Sequence, residues 1–480
     1  MTAPGPAAPE YVRDRTTRQV PPAVGPLPLR PAPLAARRRA DSCARSLARA
    51  LGRPAVAVPL AALGVLLMAL VAASAPNDHT LPVRLPLSVL PAMSPSLSTR
   101  VTTAAIAAQA LGLAGMLVAL HRGWRPGVRP LFAGGVAAVL LCTSLTPTGS
   151  GDVASYAAYG RLAALGLDPY RATPADLGGG YAPLVSPSWL HTPSVYGPVA
   201  TWIQEAAGRL SGDRPWLTVW LLMLANGAAF LVIGLLLILV AGDRRRAAVL
   251  WAANPLLIGV LVAGGHLDTF VAGLAVAAVV CARRAGSGRA GSWRWDVGAG
   301  VLIGLACGVK VSAGLVAAGL ILVLLTQRAW GRALRQAATG LATLTVLYAC
   351  YGLHALDPLH AASGLVSVPS LWLFFQDLGN PLVGAGTTTA VTAVAWPVAT
   401  LALAWGLRKR LPRAAPPLVA VPMLLTLAWM LAAPWTMPWY SAVSWSCAAL
   451  LPRGRLVGWL LTATAFLALM HNTNGRGWAW

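Results

Sequence analysis

Long runs of Ala, Leu, Val and Gly alternate with short polar breaks along most of the chain. A helix needs about 20 mostly apolar residues to cross a bilayer, and shorter or Gly-interrupted runs insert where protein surrounds them. Thirteen such segments are read, at 54–75, 101–120, 131–145, 216–240, 247–262, 267–282, 297–309, 311–325, 337–351, 387–405, 417–433, 435–451 and 456–470. The pattern predicts an all-α polytopic membrane protein. Two long breaks, 146–214 and 353–386, have almost no spanning signal yet carry aromatic and apolar residues, so both are expected to pack on the membrane surface as loops with short interfacial helices.

Composition agrees: of 480 residues, 57% are hydrophobic and only 11% charged, which excludes an ordinary soluble enzyme and a disordered chain. The net charge of +23 is scattered between apolar runs rather than gathered on one surface, so nucleic acid is not an expected partner. The six cysteines form no CxxC, and all but Cys43 lie in apolar segments, so neither a disulfide framework nor a metal site is implied.

Charge also orients the segments, because cytoplasmic loops collect Lys and Arg. With the N-terminus inside, the inner side holds 29 of the 37 basic residues and 5 acids, and the outer side holds 8 basic residues and 9 acids. Joining 297–325 into one span would move nine basic residues outward and only Arg476 inward. A hairpin turning at Lys310 on the outer side is therefore expected. Residues 1–53, rich in Pro, Ala and Arg, read as a disordered basic cytoplasmic tail, 54–472 as the multipass domain, and 473–480 as a short outer tail. "VAASAP" resembles a signal-peptidase site, but the basic lead and following proline favour a retained anchor. No internal repeat is evident, which disfavours an inverted-repeat transporter.

The topology sorts the polar residues. In "SGDVASYAAYGRLAALGLDPY", Asp152 opens a short helix ending near Gly166, with Val153, Tyr156, Ala157, Gly160 and Ala164 on one side. Asp152 is either an N-cap or a general base at the bilayer edge, and the two roles are compatible. Asp168 reads first as a turn-former before Pro169, and Tyr170 as an exposed aromatic. Tyr196, in "SVYGP", shapes a pocket or starts the following helix. In "GGHLDTF", His266 and Asp268 sit at the outer mouth of a helix, as interfacial residues or as partners for a phosphate. Lys310, in "GLACGVKVSAGL", is a snorkelling lysine or a point charge for an anionic headgroup. "PWTMPWY", with Trp439 and Tyr440, is first an aromatic belt and second a sugar-facing wall.

One carboxylate, scattered cations and aromatics at the lipid boundary suit transfer of a sugar from a lipid phosphate. Such a donor is already activated and needs cations for its leaving phosphate and one base for the acceptor hydroxyl. Neither a DxD nor a Walker A motif occurs, so no metal, nucleotide or other cofactor is expected. In order, "SGDVASYAAYGRLAALGLDPY", "SVYGPVATW", "HLDTFVAGLAVAA", "GLACGVKVSAGL" and "PWY" resemble the motifs of actinobacterial polyprenyl-phosphomannose-dependent α-1,6-mannosyltransferases of the GT-C superfamily. Ala154 and Leu267 depart from that pattern, which has a bulky aromatic and an Asn there. The resemblance implies Asp152 as general base. The leading reading of the residues puts Lys310, with His266 or Arg161, at the donor phosphate, and takes Tyr156, Tyr159, Asp168, Tyr170, Tyr196, Asp268, Trp439 and Tyr440 as lining the site. The resemblance also implies a polyprenyl-phosphate-linked mannose donor, a glycolipid or mannan acceptor, and an extracytoplasmic active site in the plasma membrane. Other readings are an enzyme using another lipid-linked sugar such as arabinose, a transporter or flippase of such lipids, and an inactive scaffold.

Overall fold

The structure, a computed structural model, describes residues 50–472 apart from 287, 289 and 369. All but the last four residues of the predicted tail, and the whole of 473–480, lie outside the described residues. Each of the thirteen apolar segments contains helix, and the described residues hold no strand beyond one isolated bridge between Thr80 and Thr148.

Many of the helices start on proline, as at Pro54, Pro95, Pro198, Pro215 and Pro417. The first turn has no intrahelical acceptor for that N–H, and the ring already holds a helical φ. Among the described residues five helices are long and apolar enough to cross a membrane, namely Pro54–Ala73, Pro95–His121, Pro215–Val240, Arg244–Val262 and Ala385–Arg410. Trp330–Ala349 and Leu353–Ala362 form a further candidate bent by 106°. Val128–Thr143, Val311–Thr326, Pro417–Ala432 and Leu456–Asn472 are shorter apolar helices. Helix Leu371–Val383, inside the second long break, buries no residue and exposes Leu371, Phe374, Leu378 and Leu382. An apolar face left open in this way suits contact with lipid, as its sequence led us to expect.

The break at Lys310 is real. Helix Trp293–Val309 ends where Lys310 turns extended, and Gly314–Thr326 runs on from a 3-10 turn to pack against Pro417–Ala432. The opposite end of Trp293–Val309 is also tied by charge. Buried Asp296 accepts hydrogen bonds from Arg332 Nε at 3.1 Å, Arg335 Nη2 at 3.1 Å and Gln336 Nε2 at 2.7 Å, which locks this helix to Trp330–Ala349.

Helix Asp152–Ala164 differs from its expected setting. Its sequence put one side inward, but every residue from Val153 to Gly160 is buried, because Pro198–Ser211 and Pro215–Val240 both pack against it. Gly160 permits the closest approach. A Cβ there would stand 2.1 Å from the Gln204 carbonyl oxygen, a backbone atom that cannot swing aside. We expect Gly160→Ala to force the two helices apart at a cost of about 2 kcal/mol or more, seen as a lowered Tm of the purified protein. An unchanged Tm would show that this contact does not set the helix position.

Candidate active site

Asp152 is the first residue of its helix and does not cap it: Gly151 holds the cap position, with no side-chain hydrogen bond there. Its carboxylate turns instead towards protein partners and a cavity, with 28% of the side-chain surface exposed. Tyr156 Oη donates to Oδ2 at 3.3 Å, and Tyr196 Oη donates to Tyr156 Oη at 3.4 Å. His266 Nδ1 also lies 3.3 Å from Oδ2, though not in line for a full hydrogen bond. Both close contacts fall on Oδ2. Burial pushes the Asp152 carboxyl up, but the contact with His266 and the charges of His266, Lys310 and His471 outweigh this and hold it below the usual carboxylate range.

Lys310 is not a snorkelling residue, for only 14% of its side chain is exposed. Its Nζ donates to both carboxylate oxygens of buried Asp268, at 3.0 and 3.1 Å, and lies 4.0 Å over the ring of Tyr440. Tyr440 stacks in turn on Trp429 at 4.9 Å. The turn before Pro198 is fastened to the same helix break: Gly197 N–H donates to the freed Val309 carbonyl at 3.2 Å, and a Cβ on Gly197 would stand 2.4 Å from Gly308 O. This places Tyr196 beside Lys310 in the cavity wall.

The cavity is open and has a volume of about 970 Å³. Asp152, Tyr159, Tyr196, Lys310, Trp439 and Tyr440 line it, so four separate stretches of chain meet there. Tyr156, His266 and Asp268 stand behind this lining, in contact with Asp152 or Lys310. Three of the expected residues are engaged elsewhere. Arg161 pairs with Asp213 at 2.5 Å; Asp168 accepts the Tyr170 N–H at 2.9 Å, as a turn-former does, and contacts His354 Nε2 at 2.6 Å. Tyr170, expected to be exposed, is buried with its hydroxyl 2.9 Å from Thr201 Oγ1. The helix following Gly197 closes over it, which periodicity within one segment could not show.

Trp435, in the "PWTMPWY" cluster, also lines the cavity, and the sequence reading missed His79, Trp189 and His471, which do so too. Each histidine sits at the outer end of an apolar segment by the same charge count that singled out His266, and that signal was available. No group of three or more His, Cys, Asp or Glu among the described residues is placed to hold a metal ion.

An apolar helical bundle that brings Asp152 and Lys310 to one aromatic-walled cavity defines a membrane protein with a polar cavity among its helices. The chain belongs to the alpha-(1->6)-mannopyranosyltransferase family, whose N-terminal domain model matches residues 60–326, a stretch that includes Asp152, His266, Asp268 and Lys310. It is 38% identical over 150 residues to an alpha-(1->6)-mannopyranosyltransferase of Mycobacterium tuberculosis, covering 29% of this chain and 24% of that protein. It is 33% identical over 214 residues to a protein of Mycolicibacterium smegmatis named a probable alpha-(1->6)-mannopyranosyltransferase, covering 38% of this chain and 37% of that one. The matched stretches thus span well under half the length of these relatives. No solved structure matches the chain.

Removing one partner of a buried ion pair leaves the other charge uncompensated, whereas replacing both with apolar side chains is often nearly neutral. We expect Lys310→Met to destabilise the protein by about 3 kcal/mol, with the double variant Lys310→Met/Asp268→Leu recovering most of that loss. Thermal unfolding of the two variants checks this. Equal Tm values for both would show that the pair holds no structural charge balance.

Proposed function

We propose that the protein is a mannosyltransferase that moves mannose from a polyprenyl-phosphate donor to a glycolipid or mannan acceptor on the outer face of the plasma membrane. One observation carries this reading: Asp152 and Lys310, far apart in sequence, face the same aromatic-walled cavity. The asymmetry of charge within that cavity suits a reaction in which one oxygen loses a proton while another, on phosphate, gains negative charge.

Asp152 takes the proton of the acceptor hydroxyl as its oxygen bonds to C1 of the mannose. The C1–O bond to the phosphate breaks on the opposite face, and the departing lipid phosphate carries the negative charge. A β-linked donor, which the family resemblance implies, then yields an α-linked product by one displacement. Because its pKa lies low, Asp152 works chiefly by position, ionised and aimed before the substrate arrives. Lys310 meets the phosphate. An ammonium carries three donors, so Asp268 can hold part of it while an anion takes the rest. The Trp and Tyr walls offer flat faces to sugar and lipid alike. The outer location is supported by the charge count, which puts every one of these loops on the side poor in Lys and Arg.

The test is transfer of mannose by purified protein from polyprenyl-phosphomannose to an α-mannoside, with polyprenyl-phosphoarabinose as the competing donor. We expect Asp152→Asn to fold normally and to lose a factor of about 10²–10⁴ in kcat. Full turnover by that variant would remove Asp152 as the base. Inactivity of the wild type with every lipid-linked sugar, together with movement of the lipid across proteoliposomes, would make the protein a transporter instead.

A further inference from the structure

A second, smaller cavity of about 30 Å³ lies behind the base, lined in part by His266, Thr102, Thr148, Gly259, Trp439 and Asn472. Its wall is unusual in one respect. His266 Nδ1, Thr102 Oγ1, Thr148 Oγ1 and Asn472 Oδ1 are all buried, and none has a hydrogen-bond partner among the described residues. An unsatisfied buried polar atom costs about 1–3 kcal/mol, and four of them around one void point to a common partner. A cavity needs roughly 10–15 Å³ and two to four polar partners to hold a water molecule. This one has the room, and the four side chains stand on its otherwise apolar wall.

Its neighbours keep it in shape. Thr148 N–H donates to the Ala263 carbonyl at 2.9 Å, and a π-helical turn, Ile258–Val262, brings Gly259 to the wall. Trp439 stacks on His266 with ring centroids 3.6 Å apart, so the imidazole cannot tip out of its plane. Nδ1 lies close to Asp152 Oδ2, and a lone pair there would repel the carboxylate. Nδ1 therefore carries the hydrogen and donates.

We propose that this cavity holds an ordered water bonded to His266, Thr102 and Thr148, and that the hydrated imidazole is the positioning residue that occupies Oδ2 of Asp152 and leaves Oδ1 for the acceptor hydroxyl. The water accepts from Nδ1–H, which the imidazole shares between it and Oδ2, and donates to the threonine hydroxyls. His266 does not line the main cavity, so it acts through Asp152 rather than on a donor phosphate. The positioning half of the proposal rests on Asp152 being the base; the water half does not.

Three measurements on the full chain in lipid nanodiscs decide it. A density map that resolves ordered water is expected to show a peak within hydrogen-bond distance of His266 Nδ1 and Thr148 Oγ1; a featureless cavity overturns the water. Thr102→Val removes one hydroxyl at almost unchanged shape and helix propensity. With water present we expect the Tm to fall by roughly 1–3 °C, whereas a rise would mean that a dry, unpaired hydroxyl had been removed and would overturn the water independently of turnover. In the transfer assay, His266→Leu is expected to lower kcat about tenfold or more with donor KM unchanged, and His266→Asn, whose amide nitrogen can reach the place of Nδ1, to recover most of it. A raised donor KM with kcat retained would overturn the positioning role and return His266 to the phosphate. Full activity of Asp152→Asn would likewise remove that role, while the density and the Thr102→Val result still decide the water.

Discussion

The charge of Lys310 is the constraint around which the site is organised. An ammonium at the end of an apolar helix is tolerable only with a partner, and here the partners come from two other stretches of chain. Asp268 opens one helix, and Tyr440 follows the Pro–Trp pair that opens another. The break in the backbone at Lys310 also frees the Val309 carbonyl, which captures the turn at Gly197 and with it Tyr196. One buried cation thus draws four segments to one place, and the same cation is what an anionic ligand would meet.

The acid is held by different means. Asp152 has no full ion pair; it has hydroxyls, an imidazole at contact distance and a mouth open to the cavity. A carboxylate locked by a bidentate arginine would be ionised but unable to accept a proton readily. One that leans on Tyr156 and His266 through a single oxygen keeps the other available. The contrast between a strongly paired cation and a loosely paired acid is what the proposed displacement would need, since in it the cation would stay charged and the acid would change state. The aromatic stacks behind them, Trp429 on Tyr440 and Trp439 on His266, set ring planes that hydrogen bonds alone would leave free to rotate.

Much of this was readable along the chain. Apolar run lengths located helix in every segment named, and the charge count required a break at Lys310, where the backbone does turn extended between two helices. The same count put Asp152, His266 and Lys310 on one side, and the helical packing gathers them. The errors have a common cause. Arg161 was offered to the phosphate, but it sits more than two turns along its helix from Asp152 and pairs with Asp213, just past the end of the packed helix Pro198–Ser211. Tyr170 was read as exposed because nothing within its own segment covers it.

Local pattern is thus enough to decide which segments are helical and where they break, because apolar length and proline position are properties of the segment alone. Which polar groups touch is another matter. That Asp268 rather than solvent pairs with Lys310, that Asp152 is held rather than capping, and that His266 lines a second, smaller cavity instead of the main one all depend on helices distant in sequence. Burial raises the energy of an unpaired charge or hydroxyl, so each finds the partner that packing brings near, and packing is decided only when all the helices are in place.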